Sequence, residues 1–137
     1  MLLITGGSTR FYGQSSDTKR SVTIFDPDNN TSCSLPVLPQ GRNLLTLEGG
    51  LACGGLDDAV STSCVKWTPA GSNRLWSLSH SLRQKRYGHV SWATASGVYL
   101  IGGDYSPSTS ELVKPNGRVR EGFSLKYESR YAHLIYF

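Results

Sequence analysis

Leu51-Ala52-Cys53-Gly54-Gly55 is a short apolar run closed by a glycine pair, and the chain writes it three times. Leu2-Leu3-Ile4-Thr5-Gly6-Gly7 precedes it and Val98-Tyr99-Leu100-Ile101-Gly102-Gly103 follows, with both intervals between glycine pairs equal to 48 residues. Each run is too short for a buried helix and long enough for a strand. The glycines need a backbone reason. A strand that must turn away sharply, or lie close to a neighbouring backbone, is obstructed by a β-carbon. A phosphate-binding loop would feed a helix, and no stretch after these pairs carries a helical apolar period. Gly6, Gly7, Gly54, Gly55, Gly102 and Gly103 are therefore read as structural.

Three further series keep phase with the first. Arg42, Arg86 and Arg130 are 44 residues apart, and the last two open near-copies, Arg86-Tyr87-Gly88-His89 and Arg130-Tyr131-Ala132-His133. Pro27, Pro69 and Pro115 follow Phe25, Trp67 and Val113 at a constant offset. Cys33-Ser34-Leu35, Trp76-Ser77-Leu78 and Phe123-Ser124-Leu125 form the fourth series. Each period divides into four short strands. In the second these are 42–48, 51–53, 61–67 and 75–79; in the third, 88–95, 98–101, 109–113 and 119–125. Pro-Asp-Asn-Asn, Pro-Ala-Gly-Ser-Asn and Pro-Asn-Gly supply the turns, since Pro presets one dihedral and Gly and Asn tolerate positive φ. Four strands in a period near 48 residues predict an all-β chain of propeller blades.

The glycine pair ending an apolar strand, the aromatic near Pro, the aromatic of the fourth strand and the Arg before the next unit together resemble the kelch repeat family. The resemblance covers nearly the whole chain. It departs where Cys33 and Phe123 stand in place of the usual Trp, where Val113 replaces an aromatic, and where Arg42 is followed by Asn43-Leu44-Leu45. It implies about three four-stranded blades of a β-propeller, a partial ring. Strands of a first blade would occupy about 1–38, a second blade about 42–80, a third about 86–126, and 130–137 would begin another. On this reading Arg42, Arg86, Arg130, His89, His133 and Trp76 are structural repeat positions, and His80 is a solvated residue.

Composition narrows the class. The chain has 137 residues, 15 glycines, 3 Trp, 7 Tyr and 4 Phe, a turn-rich β palette that excludes a helical bundle. The net charge of +4 is spread along the chain, and Arg83, Lys85 and Arg86 read as a solvated turn, so no nucleic-acid partner is expected. The longest uncharged stretch, 87–103, is broken by Ala95-Ser96-Gly97 and falls short of a membrane span. The first residues do not read as a signal peptide.

Three cysteines cannot all pair within one chain. Cys53 and Cys64 fall on neighbouring antiparallel strands, where β-carbons approach within disulfide range; two buried thiols are the alternative. Cys33 is expected to be remote from both. Asn29-Asn30-Thr31 and Asn30-Thr31-Ser32 are overlapping glycosylation acceptors on the turn after Pro27. Disulfide and acceptors point to an extracellular or secreted protein, against a cytosolic adaptor.

For function, the resemblance implies a binding module that meets a protein, or a glycan, through propeller loops. The loops are 8–20, 56–60 and 104–108 at one set of junctions, and 36–43, 80–87 and 126–131 at the other. Arg10, Phe11 and Tyr12 are the richest anchor candidates, with Asp57, Asp58, Asp104 and Tyr105 in comparable places. An enzymatic alternative comes from galactose oxidase-like proteins and sialic-acid mutarotases, which use such propellers. Copper chemistry would need clustered His and Tyr ligands, and the three His show no such grouping. No catalytic residue, metal or cofactor is expected. A homodimer closing a six-bladed ring is one way to cover the open ends.

Overall fold

The computed structural model describes residues 2–6, 19–43, 45–57, 59–68 and 75–131. These form eleven strands, and no helix occurs among them. The first sheet holds β1 (Leu2–Thr5), β2 (Val22–Asp26) and β3 (Thr31–Leu35), in that order. The second holds β4 (Thr46–Glu48), β5 (Leu51–Cys53), β6 (Cys64–Thr68) and β7 (Leu75–Leu78). The third holds β8 (Val90–Thr94), β9 (Gly97–Ile101), β10 (Thr109–Val113) and β11 (Val119–Ser124). All pairings are antiparallel and follow chain order. Of residues 130–137, expected to begin another blade, only Arg130 and Tyr131 are described, and neither belongs to a strand; 132–137 lie outside the described residues.

Turn chemistry sets the hairpins. Gly49 and Gly50 both have positive φ, 56° and 75°, and close the two-residue loop between β4 and β5 that favours such residues. Between β10 and β11, Gly117 takes φ 83° while the Asn116 side chain accepts from the Arg118 amide. The first strand of the second sheet is shorter than expected. Only Thr46–Glu48 pairs continuously, and Asn43 makes an isolated bridge to Leu56. The third strand begins at Cys64 rather than Ser61, because Ser61 turns its hydroxyl back onto the Ser63 amide.

The second sheet is buried on both faces, so β5 reads as an unbroken apolar run. On one side Ala52, Val65 and Trp76 pack with Val22 and Leu35 of the first sheet and with Leu38. On the other, Leu51, Cys53 and Cys64 pack with Leu100 and Val113 of the third sheet and with Leu82. Trp76 rests against Trp67 with ring centroids 5.5 Å apart and donates its indole N–H to the Pro36 carbonyl at 3.0 Å. Burying a side chain of that size stabilises the sheet contact by about 3 kcal/mol.

The fourth sequence series is corrected by the pairing register. Trp76 stands opposite Trp67, and the residue in the same relation to Val113 is Val119, not Phe123. In the first sheet Ser32, not Cys33, stands opposite Phe25. The turns differ in length, and a register shift between Thr109 and Glu111 moves Phe123 to the other face. There it meets Tyr99, which stacks on Trp92, at centroid distances of 5.6 and 5.9 Å.

Candidate binding surface beyond the glycine pairs

Gly6, Gly54 and Gly102 each lie against the segment that follows their sheet, at Arg42, Arg86 and Ser129. A β-carbon on Gly54 would come 2.5 Å from the Arg86 carbonyl oxygen, and one on Gly6 would come 2.5 Å from that of Arg42. Gly55 and Gly103 face the opening segments of their own sheets, where a β-carbon would come 2.8 Å from the Asn43 oxygen and 2.7 Å from the Tyr87 oxygen. The chain passes between two backbones there, and only a residue without a side chain fits. Gly7 lies outside the described residues.

The arginines before the sheets bind the same junctions. Arg42 is 2% exposed; its guanidinium donates to the carbonyls of Gly54 and Ser63 at 3.0 and 2.7 Å, and to the Ser63 hydroxyl. Arg86 is fully buried and donates to the carbonyls of Gly102 and Thr109 and to the Glu111 carboxylate, the last at 2.9 and 3.2 Å. Desolvation pulls both arginines below their ordinary pKa. Asp57 opposes it at Arg42, and Glu111 at Arg86. Glu111 also accepts from the backbone amides of Arg83 and Gln84 at 2.6 and 3.4 Å. The sequence reading missed Glu111; the signal available was a single charged residue in the strand Thr109–Val113, since a buried carboxylate needs a partner.

Arg130 does not share this role. Its side chain is 52% exposed and donates to Asp104 and Glu128, each at 3.1 Å. The carbonyl that faces Gly102 belongs to Ser129 instead. No described sheet follows Arg130 to supply the junction that buries Arg42 and Arg86.

What Arg130 joins is an exposed aromatic cluster at the exit of β9. Asp104 bridges backbone to backbone with Tyr87, and its carboxylate accepts from the Tyr131 hydroxyl at 2.8 Å and from Arg130. The Tyr131 hydrogen bond, then that of Tyr87, holds the Asp104 carboxyl below its ordinary pKa. The Tyr87 ring lies 6.0 Å from Tyr131 and 6.2 Å from Tyr105. Tyr105 and Tyr131 both sit at positive φ, 69° and 52°, which is uncommon for bulky residues and is held by their surroundings. Tyr105 is 71% exposed. The arrangement offers flat aromatic surface around a fixed carboxylate, a combination that binds well at low entropic cost.

The structure brings together Asp104, Tyr105 and Arg130 of the sequence candidates and adds Tyr87 and Tyr131. Asp57 occupies the place of Tyr105 in the second sheet, one residue past the Asn43–Leu56 bridge. Arg10, Phe11, Tyr12, Asp58 and His133 lie outside the described residues. Asn29 and Asn30 are exposed on the turn after β2, where Asn29 donates to Asp26 at 2.9 Å and Asn30 has φ 49°. Cys53 and Cys64 stand directly opposite each other and form a buried disulfide, while Cys33 is free and exposed. His80 is exposed and His89 is buried. Among the described residues no helix is long and apolar enough to cross a membrane. No family model matches the chain, and no curated protein matches it in sequence.

Proposed function

We propose that the chain is part of a kelch-type β-propeller that binds a protein partner outside the cell through its loop surface. The observation that carries the reading is the Tyr87–Asp104–Tyr105–Tyr131 cluster. It sits at a junction where kelch-like repeats carry binding loops, and it exposes aromatic surface there. The repeated glycine and arginine junctions support the blade reading, since Gly54 and Arg86 recur in phase with Gly6 and Arg42. The Cys53–Cys64 disulfide fits an oxidising compartment. On the same reading the third sheet is a blade whose outer face needs a neighbour. That face carries Trp92 and Phe123, 39% and 44% exposed, and a second copy closing the ring would cover them.

A photo-reactive residue at position 105, compared with one at Leu78, tests the binding surface against an array of secreted proteins. The expected result is a partner adduct at 105 only, and binding weakened by about tenfold in Tyr105→Ala with the unfolding midpoint unchanged. Equal labelling at both positions, or full binding by Tyr105→Ala, would remove the cluster from the interface.

A further inference from the structure

A cleft of about 250 Å³ opens between the second and third sheets, at the far ends of β8 and β9 from the tyrosine cluster. Leu51, Val98 and Val113 form its apolar floor, and Lys66 and Lys114 stand at it from opposite sheets. No Asp or Glu lines it among the described residues, and neither lysine takes part in an ion pair there.

The register makes Lys66 an anomaly. It pairs with Leu51, as Ile24 pairs with Leu3 and Leu112 with Tyr99, and those three partners are 48 residues apart. Ile24 packs on the core between the first two sheets, and Leu112 is 2% exposed. The first and third sheets therefore place an apolar residue where the second places a cation. A lysine at this position cannot fill the space as Ile or Leu would. Lysine side chains lay their stems along apolar surface and keep the ammonium near water, and Lys66 is exposed. The result is an apolar slot with two positive charges that form no ion pair among the described residues.

We infer that this cleft binds a small amphiphilic carboxylate, with its alkyl or aryl body on Leu51, Val98 and Val113 and its carboxylate between Lys66 and Lys114. The apolar body gains from leaving water. The carboxylate gains a charge-assisted contact that a neutral or cationic analogue cannot make.

The test titrates the 15N-labelled full chain with octanoate, octan-1-ol and octylammonium, following amide shifts. Saturable shifts at Leu51, Lys66 and Val98 are expected, with octanoate about tenfold tighter than the alcohol and no saturation by the amine. Lys66→Leu, which restores the residue type of the other two sheets, should hold or raise the thermal midpoint. It should weaken octanoate by about tenfold and leave the alcohol unchanged. If that variant does not fold, Lys66→Gln removes the charge and keeps the stem, and is read in the same way. Octanol binding as tightly as octanoate, an uncharged position 66 binding octanoate like the parent, or no saturable octanoate shift at all would each overturn the inference.

Discussion

The Thr46 hydroxyl and Nε2 of His89 lie 2.8 Å apart and tie the second sheet to the third. His89 is 5% exposed and its Nδ1 has no partner among the described residues. Burial, and then the Arg86 charge, lower its pKa from 6.5 to about 3. The unfolded chain takes up this proton near pH 6.5 and the folded chain does not, so stability is full above that pH and declines as pH falls toward 3. By pH 4.5 the loss should reach about 3 kcal/mol. Urea unfolding at pH 7.5, 5.5 and 4.5 measures it, and His89→Gln should flatten the slope. An equal slope in parent and variant would assign the pH dependence to other groups.

Gly54 and Gly49 separate two effects of glycine. Both have positive φ, but a β-carbon at Gly49 would meet nothing closer than a Val98 methyl at 3.7 Å. Gly49→Ala should cost about 1–2 kcal/mol from backbone strain alone. Gly54→Ala adds a clash with the Arg86 carbonyl and should cost about 3 kcal/mol or more. Chemical denaturation of the two variants checks the order.

Arg86 and Glu111 form a buried pair, 0% and 2% exposed. Removing the arginine leaves a carboxylate without its counter-charge, so Arg86→Met should destabilise by about 3–5 kcal/mol. Replacing both, with Met and Leu, should recover part of that loss. A double-mutant cycle showing no coupling would contradict the ion pair.

The Cys53–Cys64 bridge spans eleven residues of sequence in the core between the second and third sheets. Without reductant, alkylation of the unfolded chain should label Cys33 alone. Replacing both bridged cysteines by Ser should cost about 3 kcal/mol. Mass spectrometry and unfolding measurements decide the two points.

The glycine pairs, the hairpin turns and the disulfide were legible in the chain because each rests on local constraint. Positive φ and close backbone approach demand glycine, turns demand Pro, Asn and Gly, and Cys53 and Cys64 flank one antiparallel connection. Such needs show in the letters without knowledge of the rest of the molecule.

Side-chain faces and partners were not legible, because they depend on how many residues each turn consumes and which segments meet across sheets. Trp67 and Trp76 pair nine positions apart, Val113 and Val119 only six, so counting along the chain set Phe123 on the wrong face. Glu111 finds Arg86 across 25 residues, and Asp104 collects Tyr131 across 27. The identical spacing of Arg42, Arg86 and Arg130 concealed two environments: Arg42 and Arg86 donate to carbonyls of the sheet that follows each, and among the described residues no sheet follows Arg130. Lys66 reads as an ordinary polar residue of a strand until the pairing register sets it level with Ile24 and Leu112. A strand alternates its faces every residue, so the meaning of any one side chain waits on the packing of its neighbours.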